Sequence, residues 1–329
     1  MKNFEYAAPR TEAEVLQLLS ADPGRTELLA GGTDLVGLMK KMIVTPDRVV
    51  NVMEVPSMQI IDLQNDGSLV IGAAVTLDEI VAHPYLEPYP AITDAILGIS
   101  SIQLQSQGTL GGEICQRPRC WFYRNGGGLL DHGQVTIGDN RFHAILGNLG
   151  PAKFVNSSRV APALIVLDAH LRILGPGEDD EQFLPTTEFF RAPHNDQQRE
   201  IVLDPNQLVT HIILPPPSDR LSATYEVRHG EGPDVPLASA AASLSLDPAG
   251  LVRDASIVLG QVAPTPWPSH EASQVLGGRR VSEQTAEAAG IAAIRDVTPM
   301  SQNQYKVQLA KVAVRRAILR AAGLETGGF

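Results

Sequence analysis

Hydrophobic and polar positions along the chain switch between helical and strand spacing without settling into a repeat. Thr11 precedes Glu12–Ser20, where Val15, Leu16, Leu18 and Leu19 supply an apolar face, so a capped helix is expected there. Pro23-Gly24 ends it. Leu28-Leu29-Ala30 predicts a short buried strand that runs into Gly31-Gly32-Thr33-Asp34, and a second helix follows over Leu35–Met42. Arg48–Val52, Gln59–Leu63 and Ser68–Ile71 have strand character, with Asn65-Asp66-Gly67 as a hairpin turn between the last two. Further helices are expected after Thr76 and over Ala91–Ile99.

From Gln116 to Gly147 the periodicity fades. Arg117-Pro118-Arg119, Gly126-Gly127-Gly128 and Gly138-Asp139-Asn140 are turn signals, and the segment is expected to be an extended loop with brief strands. Regular structure resumes at the apolar run Ala161–Ala169 and at Leu171–Leu174. Pro215-Pro216-Pro217 then blocks sheet pairing and marks a boundary. Beyond it, Ala223–Arg228, Ala238–Leu246 and Leu251–Leu259 predict strands, and Ser269–Leu276, Ser282–Ile294 and Ser301–Ala322 predict helices. The class is α+β.

Composition narrows the chemistry. The 329 residues are 43% hydrophobic and 19% charged, enough for two or three domains with real cores. A net charge of −11 argues against a general nucleic-acid or anionic-membrane surface, which draws on clustered Lys and Arg. No apolar window approaches the ~18 residues of a membrane span. The start, Met1-Lys2-Asn3-Phe4-Glu5-Tyr6, lacks a signal-peptide core, so a soluble cytoplasmic protein is expected, with periplasmic export on a partner's signal as the alternative. Cys115 and Cys120 are the 2 cysteines, short of the thiolates a usual iron–sulfur cluster takes. Redox chemistry would therefore need an organic cofactor or a partner subunit.

Two glycine turns carry the sharpest signals. In Leu28-Leu29-Ala30-Gly31-Gly32-Thr33-Asp34-Leu35 a strand ends in paired glycines and a helix opens, an arrangement that lets backbone N–H groups approach a phosphate. Neither a dinucleotide fingerprint nor a Walker loop is present, and an ordinary tight strand–helix turn would give the same pattern. Gly108-Thr109-Leu110-Gly111-Gly112-Glu113 again sets a Thr beside paired glycines. Two such turns can clamp opposite sides of one pyrophosphate, or be unrelated.

In that order and spacing, Ala30-Gly31-Gly32-Thr33-Asp34-Leu35 and Gly108-Thr109-Leu110-Gly111-Gly112 resemble the FAD-binding medium subunit of the molybdenum hydroxylases. That family includes xanthine dehydrogenases, carbon monoxide dehydrogenase, aldehyde oxidoreductases and 4-hydroxybenzoyl-CoA reductase. The resemblance covers nearly the whole chain. It implies a two-subdomain FAD-binding fold of the vanillyl-alcohol oxidase (PCMH) type over residues 1–216, with subdomains of about 1–55 and 56–216. A smaller α+β flavoprotein C-terminal domain would occupy 217–329, ending in the helix that carries Gln304-Tyr305-Lys306-Val307-Gln308-Leu309-Ala310.

By the same resemblance, FAD would be held by Leu29, Ala30, Gly31, Gly32, Thr33, Asp34 and Leu35 on one side and by Thr109, Gly111 and Gly112 on the other. Ile102 would lie near the flavin, and Leu208 against the isoalloxazine face or in simple core. The chain departs from the family at Glu113, where an Asn is usual, at Arg159, where an Asp is common, and at Glu226, where some animal relatives have a Lys. An Arg159–Glu113 pair could offset the first two changes, or Arg159 could meet a phosphate directly; weaker FAD retention is the competing expectation.

Cys115-Gln116-Arg117-Pro118-Arg119-Cys120-Trp121-Phe122-Tyr123-Arg124 resembles the start of an insertion that holds a [4Fe–4S] cluster in some relatives, but no cysteine follows Cys120. No cluster is expected on this chain, and the segment is expected to be an aromatic, arginine-bearing docking loop. His143 could line the flavin pocket, though a lone His in an apolar strand is more often structural. The implied function is electron transfer by an oxidoreductase subunit carrying FAD and no catalytic acid–base group of its own. Electrons would come from iron–sulfur centres of a partner and pass to NAD, oxygen or a quinone. A molybdopterin-binding large subunit and a [2Fe–2S] small subunit would complete a heterotrimer or its dimer. The alternatives are a scaffold subunit that has lost FAD and a free-standing flavin oxidase.

Overall fold

The computed structural model describes residues 1–130, 132–230, 232 and 234–327. Three sheets organise it. The first is parallel and three-stranded, with Arg48–Asn51 between Glu5–Ala7 and Thr26–Leu29. Helices Glu12–Leu18 and Leu35–Lys40 make the crossovers that parallel pairing requires. The Thr11 hydroxyl accepts from Glu14 N–H at 3.2 Å and caps the first helix, which buries Val15 and Leu16.

The second sheet is antiparallel and runs in the order Ile61–Leu63, Leu69–Gly72, Leu208–Leu214, His170–Leu174, Glu181–Pro185. Its centre is the strand Leu208–Leu214, late in this part of the chain, which pairs with strands formed much earlier. Ile71, Leu171, Ile212 and Leu214 are fully buried in the core beneath it. Helices Leu77–Ala82, Pro90–Leu97, Leu110–Ile114 and Ala161–Val166 pack into the same core. Pro162 suits the first turn of the last of these, and Ser158 Oγ accepts the Ala161 N–H at 3.0 Å.

Leu221–Val227, Ala238–Leu246, Val252–Gly260 and Trp267–Pro268 form the third sheet, also antiparallel. Helices His270–Leu276, Glu283–Ala293 and Tyr305–Ala321 follow it. Ala238–Leu246 is buried on both faces. Ala238, Ala240 and Ala242 meet the C-terminal helices, while Ala241 joins the core of the second sheet. Its alanines and serines are small because Ala310, Ala313 and Ala317 of the last helix press against it.

Several expectations need correction. The segment from Gln116 to Gly147 is not an extended loop with brief strands: it contains the short helices Trp121–Asn125 and His132–Ile137. Their glycine-rich flanks masked them. Gln59–Leu63 is split, with a 3-10 turn over Pro56–Gln59 and a strand only at Ile61–Leu63. The second glycine turn is the start of helix Leu110–Ile114, with Thr109 as its cap, and the polar stretch before it is the helix Ile102–Gln107. Among the described residues no helix is long and apolar enough to cross a membrane.

Candidate functional site

A cavity of about 770 Å³ opens between the first and second sheets. Its walls include Ala30, Gly31, Gly32, Thr33, Asp34 and Leu35 from the first turn and Thr109, Gly111 and Gly112 from the second. Leu208 and Val209, at the start of the central strand, form part of a third wall. The fold thus brings together most of the residues singled out by the two motifs.

Packing explains three of the glycines. A Cβ on Gly31 would lie 1.4 Å from the carbonyl oxygen of Gln107, just before the second turn. A Cβ on Gly111 would lie 2.7 Å from Ala73 Cβ. Gly32 has φ +71°, a left-handed conformation that glycine adopts without strain. The two turns therefore close directly on each other, backbone to backbone.

Their hydrogen bonding is unequal. In the second turn the donors are already committed: Leu110 N–H to Val75 O at 3.0 Å, Gly111 N–H to Ala73 O at 2.9 Å, and Gly112 N–H to Thr109 Oγ1 at 3.1 Å. That turn is a wall. In the first, the N–H groups of Val36 and Leu38 are taken by the carbonyls of Gly32 and Asp34, while those of Thr33, Asp34 and Leu35 have no acceptor among the described residues. Here lie the donors available to a ligand.

Asp34 makes no side-chain cap. Its carboxylate accepts Arg117 N–H at 2.9 Å and Arg124 Nη2 at 2.8 Å, with Arg119 Nη2 at 4.0 Å. Two arginines line the cavity, Arg117 and Arg199. Arg117 Nε is 2.8 Å from Glu200 Oε1, in ion-pair contact without hydrogen-bond alignment. Arg199 Nε is buried and has no hydrogen-bond partner. Sequence reasoning missed Arg199 because it sits in the aperiodic polar run His194–Glu200, where nothing local marks it.

Other singled-out residues lie outside the cavity lining. Leu29 is in the strand leading to the turn, with Cδ1 against Gly32. Ile102 opens its helix and is 76% exposed. Glu113 is buried, accepting Arg159 N–H at 2.7 Å and a close contact from Gln116 Nε2; burial pushes its carboxyl up from the usual range. Arg159 thus meets Glu113 through its backbone. Its guanidinium instead donates to the carbonyls of Gly98 and Asp234 and stands 3.5 Å from Glu226, away from the cavity. Burial raises Glu226 to about 7, against the pull of Arg159 and Arg228.

The cysteines are separate. Cys115 is on the cavity wall, its thiol pushed up to about 11 by burial, so the thiolate is disfavoured at neutral pH. Cys120 Sγ lies 3.0 Å from His143 Nε2 among Trp121, Phe122 and Phe142. Burial lowers His143 to about 4, with Lys306 adding to the effect, and it is not part of the cavity wall. Among the described residues no group of three or more His, Cys, Asp or Glu is disposed to hold a metal ion.

FAD fits these residues. The volume is within the ~300–1,000 Å³ usual for cofactor sites. The first turn would present N–H groups to a diphosphate, Arg199 holds a buried Nε without a hydrogen-bond partner while its Nη2 stands 3.9 Å from Glu200 Oε1, and Leu28, Leu38, Ile201 and Leu208 offer apolar surface for rings.

Residues 2–217 match the family model described as the FAD binding domain in molybdopterin dehydrogenase, and residues 223–321 match the CO dehydrogenase flavoprotein C-terminal domain. The chain is 30% identical to the aldehyde oxidoreductase FAD-binding subunit of Escherichia coli, over 98% of this chain and 99% of that one. It is 25% identical to the carbon monoxide dehydrogenase medium chain of Afipia carboxidovorans, covering 97% and 96% respectively. Its fold is shared with quinoline 2-oxidoreductase from Pseudomonas putida 86, at a TM-score of 0.77 and 23% identity over 98% of this chain and 99% of that one. Carbon monoxide dehydrogenase from Hydrogenophaga pseudoflava gives a TM-score of 0.77 at 24% identity, over 98% of each chain. The cavity, its two glycine turns and these matches have one conclusion: the chain belongs to the FAD-binding subunit family of the molybdenum hydroxylases.

Proposed function

We propose that this chain carries FAD as the electron-transfer subunit of a molybdenum hydroxylase complex. In that role it takes electrons from iron–sulfur centres of a partner and passes them to an acceptor such as NAD, oxygen or a quinone. The observation that carries the reading is the cavity between a donor turn at Gly31–Leu35 and a closed wall at Thr109–Gly112. FAD bound there supplies two-electron acceptance and release, chemistry that ordinary side chains lack. The first turn orients the diphosphate through N–H groups. Thr109, Gly111 and Gly112 exclude water from its other side, and Leu208 and Val209 give a ring an apolar surface. Residues 1–216 would form the FAD-binding part and 217–329 the C-terminal part.

The partners proposed for this chain are a molybdopterin-binding large subunit, which would hold the substrate site, and a [2Fe–2S] small subunit; the relatives' names, an FAD-binding subunit and a medium chain, support partner subunits in general. Glu113 and Arg159, the changes that favour a scaffold without FAD, both point away from the cavity and have other partners. They therefore give that alternative no support. The test is rapid mixing of the FAD-loaded chain with its photoreduced [2Fe–2S] partner. Flavin bleaching within the turnover time of the complex is expected; a flavin that stays oxidised beside a reduced partner would refute the role.

A further inference from the structure

Asp34 poses an electrostatic problem. It is in the cavity wall at the start of the helix that would face the diphosphate, and a carboxylate there repels phosphate. Its surroundings answer this with cation and backbone. Arg124 Nη2 donates to Oδ1 at 2.8 Å, and the two side chains are 14% and 13% exposed, so solvent screens the pair little. Arg124 is itself fixed: Nε donates to Pro118 O at 2.6 Å and Nη2 to Arg117 O at 3.0 Å. The Arg117 N–H completes the ring of contacts at Asp34 Oδ2, 2.9 Å away. Further along, Lys41 Nζ donates to Asn125 Oδ1 at 3.0 Å, a second tie between the same helix and the same segment. The arginine segment is therefore seated on the back of the first glycine turn.

We propose that Arg124 is a positioning residue for the cofactor: its ion pair with Asp34 masks a negative charge that would otherwise repel the diphosphate. This rests on the reading of the cavity as the FAD site, and goes beyond it by assigning FAD affinity to a residue outside the cavity wall. An ion pair serving stability alone makes a different prediction, because FAD affinity would then not depend on which partner is removed.

The experiment is a double-mutant cycle on the full chain freed of flavin, titrated with FAD and followed by flavin fluorescence. Arg124→Gln leaves Asp34 unmasked and should weaken FAD binding by about tenfold, within the range of coupled neighbours. Asp34→Asn keeps an acceptor for Arg117 N–H and removes the charge, and its own affinity is the reference for the second arm. With no charge left to mask, adding Arg124→Gln to Asp34→Asn should change FAD affinity by less than about threefold. Equal FAD affinity in wild type and Arg124→Gln, or a loss from Arg124→Gln as large in the Asp34→Asn background as in wild type, would overturn the proposal. Should Arg124→Gln not fold, Arg124→Lys carries the test. It keeps the charge but not the fork, so binding within about threefold of wild type supports masking and a tenfold loss overturns it. A wild-type chain that takes up no FAD would overturn the reading of the cavity itself, a result distinct from any pattern among the variants.

Discussion

Gly31→Ala is the most pointed perturbation of the cavity. The added Cβ would sit 1.4 Å from Gln107 O and 2.5 Å from its carbonyl carbon. Close carbon–oxygen contacts are about 3.3–3.6 Å, so the two turns would have to part by about 2 Å. Both neighbours are backbone, which has no rotamer to yield. Overpacking of this kind costs about 1–3 kcal/mol of stability. Because Gln107 leads directly into Gly108 and Thr109, the strain relaxes by widening the cavity between donor turn and wall. Loss of one hydrogen bond to a charged phosphate, about 1.5–3 kcal/mol, weakens FAD binding about 10- to 150-fold. Fluorescence titration with FAD measures the affinity, and thermal melting measures the stability. Gly37→Ala is the matched control: nothing lies within 4 Å of its added Cβ, inside helix Leu35–Lys40. It should leave FAD affinity unchanged and add about 0.5–1 kcal/mol of stability. A Gly31→Ala protein with wild-type FAD affinity would refute the argument that contact between the turns shapes the site.

Two further predictions test the region that joins the second and third sheets. Lys306 is fully buried and donates to the carbonyls of Phe142, His143 and Gln261 at 3.1, 3.2 and 2.8 Å; Lys306→Met should cost about 2–4 kcal/mol in denaturant unfolding. An unchanged midpoint would contradict that. Glu226 has a folded pKa of about 7 against an ordinary 4.5, so its protonated form is favoured by folding. Its contribution is fully present below 4.5 and is lost as pH rises through 7. Wild type should therefore lose about 2–3 kcal/mol across this window relative to Glu226→Gln, measured by denaturant unfolding at several pH values. Parallel pH profiles for the two proteins would show that Glu226 does not titrate there.

What the sequence made legible was local chemistry. The helix cap at Thr11, the strand Arg48–Asn51 and the strands and helices after Pro217 are set by apolar spacing and capping residues within a few positions of one another. The first glycine turn was readable for the same reason. What stayed hidden depends on distant partners. The helices Trp121–Asn125 and His132–Ile137 have little periodicity of their own. The first is held by Asp34, far away in sequence, through Arg124. Gly31 looked like a phosphate glycine, yet its necessity comes from Gln107. Arg159 is expected at the cofactor because it stands where the family commonly has an Asp, whereas its guanidinium reaches Gly98, Asp234 and Glu226. Neighbouring motifs fix where the chain passes, and only tertiary packing decides which way a long side chain turns.

The most direct test of the account is an FAD titration of the purified wild-type chain, freed of flavin, with bound cofactor read from visible absorbance after gel filtration. The account predicts saturable uptake that stops at one FAD per chain. A chain that remains colourless in excess FAD would contradict it.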